Sequence, residues 1–85
     1  MYKVMLVDDE KFIRKSLLNR IPWDKWNLKV EAEAENGVEA LQLMEKIRPQ
    51  IVFVDIRMPL MDGLGFIQEA GKRFSDTHYT KTSHT

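Results

Sequence analysis

The sequence predicts an α/β domain whose parallel sheet is covered by helices on both faces. Three observations carry this. Val4-Met5-Leu6-Val7 and Ile51-Val52-Phe53-Val54 are short runs that are apolar at every position, the mark of strands buried on both sides. Segments with apolar residues at helical spacing follow them. Strand and helix then alternate along the chain, which implies parallel strands joined by right-handed crossovers.

The first strand spans Lys3 to Val7. The first helix is expected to begin near Asp9, with Asp9 as a possible cap. Ile13, Leu17, Leu18 and Ile21 form its apolar stripe, and Pro22 ends it. Trp23 to Asn27 is a loop whose two tryptophans, Trp23 and Trp26, are expected to pack against the first helix. In the second strand, Leu28 to Ala34, apolar residues alternate with Lys29, Glu31 and Glu33. A period of two with one wet face suits a sheet edge.

Asn36-Gly37-Val38-Glu39 resembles a capping box, with Glu39 reaching back. The second helix then points Ala40, Leu41, Met44 and Ile47 inward and closes at Pro49. The third strand is Ile51 to Val54. In the loop after Asp55, Pro59 fixes one dihedral angle and Gly63 can take a positive one. Met58 and Met61 are expected to pack this loop. The third helix runs from about Gly63 to Phe74, with Asp62 as cap and Leu64, Ile67, Ala70 and Phe74 inward. The remaining residues, from His78 onward, are almost wholly polar. A central strand there should look like the first and third, so the domain is taken as 1–79. Residues 80–85 are taken as a polar tail replacing most of a fourth strand.

A length of 85 residues allows one domain or part of one. Charged residues make up 31% of the chain but balance to zero net charge, which gives no broad basic field for nucleic acid or membrane surfaces. There is no cysteine, which excludes disulfides, zinc–thiolate sites and thiol nucleophiles. No apolar run approaches the ~20 residues that span a bilayer, and no signal peptide precedes the first strand. A cytoplasmic protein is the expectation.

The chemistry converges on three carboxylates. Asp8 and Asp9 follow the first strand and Asp55 follows the third, and in open α/β sheets ligands bind beyond the carboxyl ends of the strands. Clustered carboxylates repel, so one takes a proton or a cation sits among them. A hard divalent ion with oxygen ligands, Mg2+ above all, fits the second case. Asp8-Asp9 alone would more often cap a helix; the addition of Asp55 at the end of a buried strand favours a site. His78 and His84 have no partners at ligand spacing.

Three stretches resemble the receiver domain of two-component response regulators. They are Val7-Asp8-Asp9-Glu10, Glu33-Ala34-Glu35-Asn36-Gly37-Val38-Glu39-Ala40, and Asp55-Ile56-Arg57-Met58-Pro59-Leu60-Met61-Asp62-Gly63. The Ile21-Pro22-Trp23 loop is similar to receivers that precede AraC-type DNA-binding domains. The resemblance covers about residues 1 to 79. It implies a flavodoxin-like doubly wound parallel sheet, of order 2-1-3-4-5 in the family, stopping here after about the start of the fourth strand.

By that resemblance Asp55 is the phosphoacceptor, attacking a phosphohistidine on a sensor histidine kinase. Asp8, Asp9, Asp55 and the backbone carbonyl of Arg57 would hold Mg2+, while the Arg57 side chain faces solvent. Pro59 and Gly63 would shape the loop, and Ser83 falls at the family's switch hydroxyl. The lysine that ends the family's fifth strand has no counterpart. The expectation is therefore an incomplete receiver: a signalling domain that assists its own phosphoryl transfer and is prone to self-association, with no nucleic-acid or membrane contact of its own. The alternatives are an assembly fragment with impaired phosphorylation, or an aspartate-based Mg2+ phosphohydrolase. The second is disfavoured because there is no cap domain.

Overall fold

A computed structural model of the chain describes residues 1–82. Four strands, β1 (Tyr2–Val7), β2 (Leu28–Ala34), β3 (Ile51–Asp55) and β4 (His78–Thr82), form one sheet in the order β2-β1-β3-β4. Every neighbouring pair is parallel. The connections are α1 (Lys11–Arg20), α2 (Gly37–Ile47) and α3 (Gly63–Arg73), with a single 3₁₀ turn at Trp23–Trp26 before β2. This is the expected doubly wound arrangement through its fourth strand.

Side-chain alternation along β1 splits the core into two layers. Met5 and Val7, with Val52 and Val54 of β3, pack with Ala40 and Met44 of α2 and with Phe66 and Ala70 of α3. Val4 and Leu6 face the other way and meet Leu28, Leu17, Leu18 and Trp23. The layers are unequal: α1 contributes no fully buried residue, whereas Phe66, Ala40, Met44 and Ala70 are all completely buried. Hydrophobic stabilisation follows apolar area removed from water, so most of it resides in the α2–α3 layer.

Local signals explain most of the element boundaries. Asn36 Oδ1 accepts from the Glu39 N–H at 2.8 Å, and Glu39 Oε1 accepts from the Glu35 N–H at 2.8 Å. The box is thus closed, with the return bond landing one residue before the cap. Asp62 Oδ1 caps α3 by accepting from the Gly65 N–H at 2.7 Å. Asp9 does not cap α1. Its N-cap is Glu10, which makes no side-chain capping bond. Asp8 instead receives the Glu10 N–H on Oδ1 at 2.9 Å, so the chain turns around Asp8 before the helix begins.

Other expectations are corrected by packing. Leu64 is 50% exposed and Phe66 is completely buried: starting α3 at Gly63 turns positions 63, 66 and 70 to the sheet. Trp23 packs edge-on to Phe53, with ring centroids 5.6 Å apart, but Trp26 is 55% exposed. No glycine has a positive φ; that conformation falls to Asn27, Arg48 and Leu60, the last at φ 68°.

The largest correction concerns the polar stretch after residue 79. It does not replace the fourth strand: β4 extends through Thr82 and pairs with β3 in unbroken register, from Ile51 opposite His78 to Asp55 opposite Thr82. Backbone ladders do not require apolar side chains, and threonine and tyrosine favour extended chain. Tyr79 supplies the apolar anchor, edge-on to Phe66 at 6.0 Å, with its hydroxyl donating to the Phe74 carbonyl at 3.2 Å. β3 is consequently an interior strand.

Candidate phosphoacceptor and cation site

Register brings the acidic residues together. Val7 of β1 lies opposite Val54 of β3, so the next residues, Asp8 and Asp55, leave the sheet side by side. Asp8 and Asp55 are 2% and 5% exposed, and Asp9 is exposed beside them. One carboxylate oxygen from each of the three lies within 4.8 Å of the others. Two buried carboxylates and a third so close form a strongly electronegative nest of hard oxygen donors. That donor set suits Mg2+ or Mn2+ and offers nothing to a thiophilic metal.

The supports are backbone and arginine. The Asp8 N–H donates to the Ala34 carbonyl at 3.0 Å, which ties the site to β2. Arg14 of α1 donates from Nη1 to the Asp8 carbonyl and from Nε to Glu33 Oε1 at 2.9 Å. It thereby joins α1, the β1 end and β2 around the site. On the other side, the Arg57 N–H donates to Asp55 Oδ1 at 3.3 Å, and the Ile56 N–H donates to the Thr82 carbonyl at 3.4 Å. The Arg57 side chain is exposed, as expected.

The loop from Ile56 to Gly63 is closed over this strand end. The Gly63 N–H donates to the Ile56 carbonyl at 2.9 Å, and the Gly37 N–H donates to the Met61 carbonyl at 3.2 Å. Gly63 is required by proximity: a Cβ there would stand 2.1 Å from the Asp55 carbonyl oxygen. Met58 and Met61 pack on the core, as expected, and Pro59 is exposed. Leu60, 83% exposed, takes the left-handed turn, a conformation that costs a non-glycine residue energy and tends to accompany functional loops.

Asp8, Asp9 and Asp55 are thus brought together, with Arg57 at the margin and Pro59 and Gly63 in the closing loop. Ser83 lies outside the described residues. Arg14 was not foreseen, because its partners come from two other elements and no sequence spacing links them. The left-handed Leu60 carried no signal either, since the nearby glycine was the natural candidate.

A match to the response regulator receiver domain covers residues 4–80. Over 69 residues the chain is 39% identical to the transcriptional regulatory protein HptR of Staphylococcus aureus (strain NCTC 8325 / PS 47), an overlap of 81% of this chain and 27% of that protein. The chain spans about a quarter of the length of such curated relatives. Its fold is similar to the REC domain of AraT, a response regulator from Geobacillus stearothermophilus, with a TM-score of 0.91, 39% identity, and coverage of 96% of this chain and 64% of that one. It is also similar to a two component transcriptional regulator AraC from Clostridium phytofermentans ISDg, with a TM-score of 0.88, 30% identity, and coverage of 100% and 68%. An acidic nest at the ends of β1 and β3, in a sheet of this order and with these similarities, leads to one conclusion: the chain belongs to the response regulator receiver domain family of two-component signalling.

Proposed function

We propose that the chain accepts a phosphoryl group on Asp55 from a sensor histidine kinase, with Mg2+ held by Asp8, Asp9, Asp55 and the Arg57 backbone carbonyl. The observation that supports this best is the meeting of three carboxylates within 4.8 Å, two of them buried. Bound there, the cation would supply charge neutralisation between the carboxylates and the phosphoryl oxygens.

The chain's own residues do the rest. An Asp55 oxygen attacks phosphorus, the new P–O bond forms as the P–N bond of phosphohistidine breaks, and the imidazole departs. A carboxylate nucleophile has no proton to shed at neutral pH, so no general base is needed. The rigid end of β3 and the Arg57 N–H fix the direction of attack, which is most of what phosphoryl transfer asks of a protein. Thr82 of β4 lies opposite Asp55, so a change at Asp55 would be passed to that strand. Within a longer regulator this change would bias a DNA-binding output in the cytoplasm.

The test is intact-mass measurement after incubation with acetyl phosphate, with and without Mg2+. One added phosphoryl group is expected only with the ion, and none in Asp55→Asn. Label that survives Asp55→Asn would overturn the assignment of the nucleophile.

A further inference from the structure

Arg14 stands in the first turn of α1, where helix stability gives no reason for it. A cation near a helix N-terminus opposes the helix dipole, and the first turn of α1 carries no acidic residue to offset it. Nor is Arg14 a solvated surface group, since its side chain is only 12% exposed. What it meets is the acidic site: Nη1 donates to the Asp8 carbonyl, and Nε donates to Glu33 Oε1 at 2.9 Å.

The Asp8 backbone is thus tied to β2 at both ends. Its N–H donates to the Ala34 carbonyl at 3.0 Å, and its carbonyl is clamped by an arginine that Glu33 orients. Asp8 Oδ1 then takes the Glu10 N–H at 2.9 Å, so the carboxylate has a set direction. Three carboxylates with oxygens within 4.8 Å repel one another, and a joint free to relax would swing Asp8 and Asp9 away from Asp55. That joint is weakly held by its neighbours. β1 ends at Val7, and α1 has no side-chain cap and no fully buried residue. We propose that Arg14 is a positioning residue for the cation: acting through the Asp8 carbonyl, and held in turn by Glu33, it fixes Asp8 and Asp9 before the ion arrives. The inference rests on the cation site proposed above and adds to it a residue that is not itself a ligand.

Charge and position predict opposite signs. A guanidinium repels a divalent cation, so an Arg14 that acted by charge alone would give tighter ion binding when removed. An Arg14 that holds Asp8 gives weaker binding when removed, and losing an outer partner of a metal ligand commonly costs about 10–100-fold in affinity. The planar guanidinium also offers two donors in fixed directions, which the point charge of lysine does not reproduce.

The test is Mn2+ binding, read from the paramagnetic resonance signal of the free ion, with ion-free thermal unfolding of each variant to show that it is folded. Arg14→Met should bind Mn2+ about tenfold more weakly than the parent, and Arg14→Lys, which keeps the charge, should also bind more weakly. Glu33→Ala should weaken binding by removing the support of Arg14. Glu33→Gln loses the same charge but keeps an acceptor for Nε, and should bind nearly as the parent does. Glu33 is exposed, so these two variants carry the test even where Arg14→Met fails to fold. Folded Arg14→Met that binds Mn2+ as tightly as the parent, or more tightly, would overturn the proposal. So would equal weakening in Glu33→Ala and Glu33→Gln, the mark of charge alone. A parent chain that takes up no Mn2+ would remove the function proposed above together with this inference, whereas a parent that binds while the variants bind equally well removes this inference only.

Discussion

Replacing Gly63 by alanine measures how tightly the β3–α3 loop is closed on the site. The new Cβ would lie 2.1 Å from the Asp55 carbonyl oxygen, 2.8 Å from its carbonyl carbon and 2.8 Å from Ile56 Cα. All three are backbone atoms, so no change of rotamer relieves the overlap. The loop must retreat from the strand end, which stretches the 2.9 Å bond from the Gly63 N–H to the Ile56 carbonyl. Overpacking of this kind costs about 1–3 kcal/mol, and a lost hydrogen bond about 1 kcal/mol more. Each kcal/mol lowers Tm by roughly 4–8 °C in a domain of this size, so a fall on the order of 10–25 °C is expected.

Gly71→Ala is the matched control. Nothing lies within 4 Å of a Cβ there, and relief of glycine in a helix gains about 0.5–1 kcal/mol. The same chemical change should raise Tm at position 71 and lower it at position 63. Thermal unfolding followed by far-UV circular dichroism, at one fixed protein concentration, reads both. A Gly63→Ala chain melting within about 2 °C of the parent would show that the loop is not held against Asp55 and would refute the reasoning.

The remaining predictions concern the cation, a cap and alkaline pH. Mg2+ or Mn2+ should raise Tm by linkage, about 2.7 kcal/mol at a hundredfold excess over Kd, and Asp9→Ala should remove the shift; an unchanged shift would show that Asp9 is not a ligand. Asn36→Ala should cost about 1 kcal/mol in urea unfolding, because the first turn of α2 loses the acceptor for the Glu39 N–H. Burial pushes the Tyr79 phenol above its usual 10.0, with a side-chain hydrogen-bond interaction with Thr77 opposing part of the effect. The folded state therefore keeps this proton where the unfolded chain begins to lose it, so the contribution is full below pH 10.0 and is lost as pH rises through the folded value. Urea midpoints should fall less steeply above that pH in Tyr79→Phe than in the parent, and equal slopes would remove Tyr79 as the cause.

The elements and the acidic site were legible because their causes are local. The all-apolar runs of β1 and β3 specify strands buried on both faces, the alternation from Leu28 to Ala34 specifies an edge, and Asn36 and Asp62 announce the helices they cap. Once β1 and β3 are parallel neighbours, aspartates at their carboxyl ends must converge, and this follows from order and polarity without coordinates.

What only the tertiary structure decided depends on partners distant in sequence. Arg14 reaches Asp8 and Glu33 from a third element. Gly63 is glycine because Asp55 stands against it and not because of its own dihedral angles, so the left-handed residue of that loop is Leu60. The phase of α3, set by where Gly63 meets β3, chooses Phe66 over Leu64 for the core. β4 is the sharpest case. His78-Tyr79-Thr80-Lys81-Thr82 has the composition of a tail, and composition reports the transfer of side chains from water. Its strand is made instead by backbone groups that β3 offers in register and by one tyrosine seated on Phe66, a template that exists only once the other three strands have assembled.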